Sequence, residues 1–294
     1  MEQGFCDMAS AQLVSASERQ YAEWYREKGA HVILHRGRYW EKIARGFCEP
    51  IHWLARLRAD EVSRPTLSCW GYRASLHENA ASMANSTMPM NLLSGLGNYT
   101  MENLPPKRRT DLRKCRKLVS IIQLRSPKVL QEQGYEVALS AFKRTGHGTP
   151  PDRQQYHQAE IQSFPSQPFQ IAIAGLVNEK LGGYAKAYAI EDTVYVYAVK
   201  IATEFLPTAI GTGLTFDLVQ VCRQTEGIKH VLYGLHSPED PQLVAFKEGM
   251  GFKTVAIPSY LWMLPGLRTF IRRKKPYAFY RLTGILPTAH NPGK

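Results

Sequence analysis

The order of apolar and polar positions divides the chain near residue 98. Over residues 11–30, Leu13, Val14, Tyr21, Trp24 and Tyr25 recur at helical spacing. "HVILHRGRYWEKI" reads as strand, glycine turn and strand, and "TLSCWGYRASL" as a further strand. In "HENAASMANSTMPMNLLSGLGN" the alternation stops and small residues cluster, which marks the boundary.

Beyond that boundary the pattern sharpens. "LPPKRRTDLRKCRKLV" predicts a helix opened by prolines, with Leu112, Cys115 and Leu118 as its apolar stripe. "SPKVLQEQGYEVALSAFKRTG" predicts a second helix. Three β-rich runs follow, "QIAIAGLV", "LGGYAKAYAI" and "VYVYAVKIA". They are joined by the short polar turns "NEK" and "EDT", so an antiparallel meander is expected. "LPTAIGTGLTFDLVQVCRQT" predicts a helix with glycines near its start, and "KHVLYGLH" a buried strand. "SPEDPQLVAFKEGM" predicts a helix with Ser237 as N-cap and acids in its first turn. "GFKTVAI" and "YAFYRLT" are expected to complete the sheet.

Composition narrows the partners. The chain has 294 residues, 44% of them hydrophobic, enough for one large core or two modest ones. Its formal charge of +12 favours a polyanion: nucleic acid, anionic lipid or a phosphorylated cofactor. The cysteines, Cys6, Cys48, Cys69, Cys115 and Cys222, are odd in number and match neither a disulfide framework nor CxxC metal pairs. A reducing, cytoplasmic setting is therefore expected. The N-terminus lacks a secretory pattern, and no apolar run approaches the roughly 20 residues of a spanning helix, so no transmembrane segment is expected. His31 and His35 share a strand face without a third ligand nearby and read as structural, leaving no metal site.

Two stretches concentrate positive charge. Lys107, Arg108, Arg109, Arg113, Lys114, Arg116 and Lys117 crowd about three helical turns, and their repulsion invites a counter-anion. An exposed, solvated face is the plainer account. Residues 258–281 combine Trp262, Leu264, Leu267, Phe270 and Ile271 with Arg268, Arg272, Arg273, Lys274 and Lys275. That composition suits contact with an anionic membrane surface, contact with RNA, or a loop lining a cleft.

The element order over residues 99–285 (helices, three-strand meander, helix, strand, helix, strand) resembles the GNAT acyltransferase superfamily. The resemblance implies that the third meander strand and the next strand splay apart and hold the donor's acyl group between them. It also implies that the N–H groups of a Gly-rich helix start hold the pyrophosphate of coenzyme A. Here that start is "LPTAIGTGL". Leu206 stands where the family has a basic or amide residue, and Ala209 stands for the first glycine. Ala209, Ile210, Gly211, Thr212 and Gly213 are the donor-binding candidates, with a packing role for the glycines as the alternative.

The family's usual tyrosine, four residues before Gly-Phe, is replaced by Lys247, preceded by Phe246. This Phe-Lys pair resembles that of the Fem-type transferases, tandem GNAT-like proteins that take an amino acid from aminoacyl-tRNA. Carried over, Phe246 packs or stacks at the acylated end of the tRNA. Lys247 then meets phosphate or the developing oxyanion, unless it is only a helix-terminal charge. The basic helix over residues 107–117 is a second Fem-like feature.

At the expected splay, His236 ends a strand, Glu239 and Asp240 open the next helix, and Glu204 follows the third meander strand. Each is a candidate base for the attacking amine, or else a strand-end or helix-dipole residue. One aromatic face carrying Tyr195 and Tyr197 is expected to line the cleft.

Together these readings give an α/β protein with a GNAT-like fold: a mixed, mostly antiparallel sheet with splayed central strands. Residues 1–98 form a reduced GNAT-like unit, 99–288 the acyltransferase domain and 289–294 a tail. The expected activity is N-acyl transfer to an amine, with aminoacyl-tRNA favoured over acyl-CoA as donor and no tightly bound cofactor. A non-catalytic module that binds RNA or membrane is the alternative of a different class.

Overall fold

A computed structural model describes residues 4–146 and 152–286. In chain order the strands are β1 (Phe5–Asp7), β2 (Val32–His35), β3 (Arg38–Ile43), β4 (Phe47–Pro50), β5 (Gly71–Ser75), β6 (Ser86–Ser94), β7 (Ser120–Leu124), β8 (Gln170–Val177), β9 (Lys180–Ile190), β10 (Thr193–Ile201), β11 (His230–Leu235) and β12 (Lys253–Met263). The helices are α1 (Glu18–Glu27), α2 (Pro106–Leu118), α3 (Tyr135–Thr145), α4 (Arg153–Gln162), α5 (Ile210–Gln224), α6 (Pro241–Gly249), α7 (Leu267–Lys274) and α8 (Pro276–Thr283).

The chain forms two compact units. One comprises Met1–Ala16 and Leu92–Lys253, the other Ser17–Asn91 and Thr254–Lys294. One junction falls at residues 91 and 92, and the segment up to Ala16 joins the later part of the chain. The segment after residue 253, however, joins the N-terminal part rather than the acyltransferase-like part.

In the first unit the strands run β1-β7-β8-β9-β10-β11. All neighbours are antiparallel except β10 and β11, which are parallel. The meander forms as its turns predict, with positive φ at Asn178, Glu179 and Glu191. On one face α2 and α5 bury Leu112, Cys115, Ile210 and Leu214 against Ile171, Ala187 and Val194. On the other face, Leu130 and Val137 pack against Ile122, Ala172 and Leu181. Val119, rather than the exposed Leu118, extends the stripe of α2 into the core.

In the second unit the order is β6-β12-β5-β4-β3-β2. Here α1 starts later than its spacing suggests. Ser17 caps it, with Gln20 closing a capping box, and Leu13 and Val14 lie before it. "YAFYRLT" is the helix α8 and not a strand. Pro276 opens it, Gly284 closes it with φ of 70°, and Phe279, Tyr280, Leu282 and Thr283 are buried at helical spacing. The small-residue stretch at the expected boundary contains β6. At the head of α6, Asp240 rather than Ser237 is the N-cap, because its Oδ1 accepts from Leu243 N at 2.9 Å.

Candidate active site

The parallel pair β10–β11 is short. It holds only Thr193 to His230, Val194 to Val231 and Tyr195 to Leu232. Past that point β10 continues on β9 alone, and a bulge between Val196 and Ala198 leaves Tyr197 outside the ladder. Residues 193–196 are buried, whereas 197–201 are exposed or half-buried. The pairing of the two strands therefore ends at Tyr195 and Leu232, the place where the resemblance puts the cleft. The bulge turns the backbone polar groups of Tyr197 away from their ordinary partner.

Lys247 braces the edge of this cleft. It is 5% exposed, and its Nζ donates to the carbonyl of Tyr233, the first β11 residue past the pairing, at 2.8 Å. The same ammonium lies 4.7 Å from the Tyr233 ring centroid. Tyr233 in turn bonds Thr215 of α5, and burial pushes its phenol up. The sequence places Lys247 against a donor's phosphate or oxyanion. The structure instead gives its ammonium a backbone carbonyl, because α6 packs this side chain inward under the end of β11.

Phe246 faces the other way. The guanidinium of Arg108 lies 4.8 Å from its ring centroid, and a Cβ placed on Gly211 would lie 3.8 Å from the ring. Phe246 and the basic helix, separate features of the sequence, thus meet beside the first turn of α5.

That turn is entered through a 3-10 segment, Thr203–Thr208, which includes Pro207 and carries Glu204 exposed in its first turn. Ala209 follows at φ 59°, and its carbonyl accepts from Thr212 N and Gly213 N at 3.0 and 3.3 Å. No side chain caps this terminus. The two glycines serve packing. A Cβ on Gly213 would sit 2.3 Å from Cys115 Sγ, and one on Gly211 would sit 2.9 Å from Ile201 Cδ1. Ile210 is buried against Gly175 and Gly182, and Thr212 is buried beside it. The N–H groups of the first turn are what this segment offers a ligand.

Across the cleft, His236 is half-buried just beyond β11 and Glu239 is exposed. Asp240 has one oxygen committed to the α6 cap. On the far wall, Tyr188 stacks on Tyr195 at 5.2 Å and meets Tyr197 at 5.6 Å, and the Tyr197 hydroxyl donates to Ser163 O at 3.3 Å.

The basic residues fall into three groups. In α2, Arg116 forms a two-pronged pair with Asp217, Arg108 bonds Asp111 at 3.2 Å, and Arg109 donates to Glu102 O at 3.3 Å. Lys107, Arg113, Lys114 and Lys117 are exposed. In the other unit, Arg272, Arg273, Lys274 and Lys275 are exposed at the end of α7, where Phe270 is exposed as well. Among the described residues no group of histidines, cysteines and acids has the makings of a metal site, and no helix is long and apolar enough to cross a membrane.

A parallel strand pair that parts, with a helix N-terminus after its first strand, is the arrangement the resemblance implied; the bulge is an addition to it. The fold is GNAT-like. FemX shares it with TM-score 0.60 at 9% identity, over 86% of this chain and 93% of that one. So does the C-terminal domain of a putative lysylphosphatidylglycerol synthetase from Agrobacterium fabrum, with TM-score 0.57 at 11% identity over 93% and 99%. At these identities the likeness is one of fold. No protein-family model matches the sequence, and no curated protein matches it.

Two basic residues near the end of β10 have no place in the sequence pattern, Lys200 on β10 itself and Arg144 on α3, which donates to Ile201 O. Strict alternation puts Lys200 on the face opposite Tyr195. The bulge at Tyr197 reverses that parity, and the register pairs Lys200 with Tyr184 and Tyr195 with Tyr188 on one face of β9.

Proposed function

We propose that the chain is an N-acyltransferase that moves an aminoacyl group from aminoacyl-tRNA to an amine. The observation that carries the acyl-transfer reading is the parting of β10 and β11 beside the Tyr197 bulge. A flat acyl ester fits such a gap, with its carbonyl oxygen toward the bulge N–H groups. The amine nitrogen attacks the acyl carbon, and charge collects on the carbonyl oxygen. The intermediate then collapses as the ester oxygen of the tRNA leaves. His236 or Glu239 takes the proton released by the amine. Lys247 acts through Tyr233, holding the edge of β11 in place.

The preference for aminoacyl-tRNA rests on the α5 entry. Pro207 and Ala209 replace an open glycine loop, and Gly213 is occupied in packing on Cys115, so little cradle is left for a pyrophosphate. The exposed Lys107, Arg113, Lys114 and Lys117 supply charge for a polyanion. Acyl-CoA is the second reading, favoured by the uncapped α5 N-terminus.

Calorimetric titration at low salt separates these readings. Salt-dependent binding of aminoacylated over deacylated tRNA, with no response to acetyl-CoA, is expected. Saturable acetyl-CoA binding without a tRNA preference overturns the donor assignment. Equal binding of both tRNA forms, without turnover, points to a non-catalytic module.

A further inference from the structure

The face of β9 and β10 turned toward α3 and α4 is polar and aromatic where a sheet interior is ordinarily apolar. Tyr184, Lys186 and Tyr188 of β9 stand opposite Lys200, Ala198 and Tyr195 of β10. Lys186 is buried and engaged: its ammonium donates to a Glu160 carboxylate oxygen and to Ser163 Oγ at 3.0 Å. The Tyr184 hydroxyl lies 3.4 Å from the other Glu160 oxygen and 3.3 Å from the Tyr156 hydroxyl. This network accounts for one buried cation and one buried carboxylate.

Lys200 is placed differently. It is half-buried, and its Nζ lies 4.3 Å from the centroid of the Phe142 ring. Among the described residues, no hydrogen bond or ion pair joins its ammonium to a carboxylate. Arg144, two residues beyond Phe142, is held at the end of β10 by donation to Ile201 O at 2.9 Å and to Thr203 Oγ1 at 3.0 Å. Burial holds the Lys200 ammonium below its ordinary range, and Arg144 adds to this while Glu160 opposes it. Asp240 is the acid whose charge acts on Arg144, and one of its oxygens already caps α6. Glu160 is thus paired with Lys186 and Asp240 caps α6, and among the described residues no carboxylate forms a hydrogen bond or ion pair with Lys200 or Arg144.

This excess positive charge sits beside the part of β10 that is open to the cleft. It lies on the sheet face opposite the one that Ile210 and α5 cover, so it is set apart from the donor's helix N-terminus. We propose that Lys200 and Arg144 form an anion subsite on the acceptor side of the cleft, and that the amine acylated there carries a carboxylate or a phosphate. The subsite rests on the acyl-transfer reading for its purpose but not for its chemistry. A half-buried ammonium next to a guanidinium gains charge-assisted hydrogen bonds from an incoming oxyanion. The aromatic wall of Tyr188 and Tyr197 leaves the uncharged part of the ligand an apolar surface.

Inorganic phosphate and acetate, titrated into the full chain with 13C-methylated lysines, test the subsite without any donor. The Lys200 resonance, assigned by its loss in Lys200→Met, is expected to shift saturably. Affinity should fall about tenfold or more in Lys200→Met and in Arg144→Gln, and recover in Lys200→Arg. A Lys200 signal unmoved by both anions, or equal binding by Lys200→Met, overturns the proposal. Acyl transfer to O-phosphoethanolamine, β-alanine and ethanolamine then tells phosphate from carboxylate. Ethanolamine acylated as well as the two anionic amines overturns the substrate class. If none of the three is acylated, the acyl-transfer reading fails for these amines, while the titration still decides the subsite.

Discussion

The Nζ of Lys247 lies 2.8 Å from the carbonyl oxygen of Tyr233, one residue past the last β10–β11 pair. A backbone carbonyl at that point has lost its strand neighbour, and Gly234 follows it at φ 70°. The lysine therefore supplies the partner that the departing strand removes, and it fixes where β11 bends away.

Replacing Lys247 by Met keeps most of the side chain's volume and leaves the Tyr233 carbonyl without this donor. The expected cost is about 1–3 kcal/mol, the usual penalty for an unsatisfied buried acceptor. If Lys247 acts through the strand rather than on the donor, transfer by Lys247→Met falls mainly in kcat while the donor's KM stays close to wild type. Steady-state kinetics beside urea unfolding checks both. A large rise in donor KM at unchanged stability would instead put the ammonium on the donor.

Gly213 and Gly211 are expected to part company. An alanine Cβ at 213 meets Cys115 Sγ at 2.3 Å and Ile121 Cδ1 at 2.7 Å, both in a packed core. Gly213→Ala should destabilise the protein by about 1–3 kcal/mol, as overpacking does. At 211 the nearest atom is Ile201 Cδ1 at 2.9 Å, the movable end of a half-buried side chain, so the change should be milder. Chemical denaturation of the two variants decides whether the Gly-x-Gly here is a packing device. Two variants of equal stability would contradict that.

How far the sequence could be read differs from element to element. The meander was legible because short polar turns separate its β-rich runs. The parting of β10 and β11 was legible only through the resemblance of the element order to the GNAT superfamily, since no residue at Tyr195 or Leu232 marks it locally. Lys200 was hidden by one extra residue: a bulge leaves no strong local signature, yet it changes the face of every residue after it. α8 is a helix although "YAFYRLT" is rich in β-formers, because Pro276 and Gly284 at its ends favour that element. Lys247 was conspicuous in sequence, but only packing could show that its charge turns inward.

Glu41 makes the second unit sensitive to pH. Burial, with the neighbouring Glu49 adding to it, pushes its carboxyl up from 4.5 to about 7, and it accepts from the Tyr25 hydroxyl at 3.1 Å. Below about pH 4.5 both folded and unfolded chains hold this proton, so the group has no effect on stability. Between there and about pH 7 only the folded chain holds it, so stability falls as pH rises. The full loss above pH 7 is on the order of 3 kcal/mol. Glu41→Gln, which keeps an acceptor for Tyr25, should flatten that part of the curve and be the more stable protein at neutral pH. Urea unfolding across this range, with a wild-type slope no steeper than that of Glu41→Gln, would remove the effect.

The basic helix should separate into anchors and contacts. Arg116 grips Asp217, which is only 6% exposed, so Arg116→Ala strands a buried carboxylate and is expected to cost a few kcal/mol. Lys107, Arg113, Lys114 and Lys117 point into solvent, where surface charges contribute little to stability. If they meet tRNA phosphates, changing all four to Gln leaves thermal unfolding within about 0.5 kcal/mol of wild type. The same change lowers the slope of log affinity against log salt by about 0.7–0.9 for each phosphate no longer neutralised. Arg116→Ala should do the reverse, unfolding earlier with a nearly unchanged salt slope once its lower folded fraction is taken into account. A four-fold variant that binds tRNA with the wild-type slope would show that this face is solvated and that the polyanion meets the protein elsewhere.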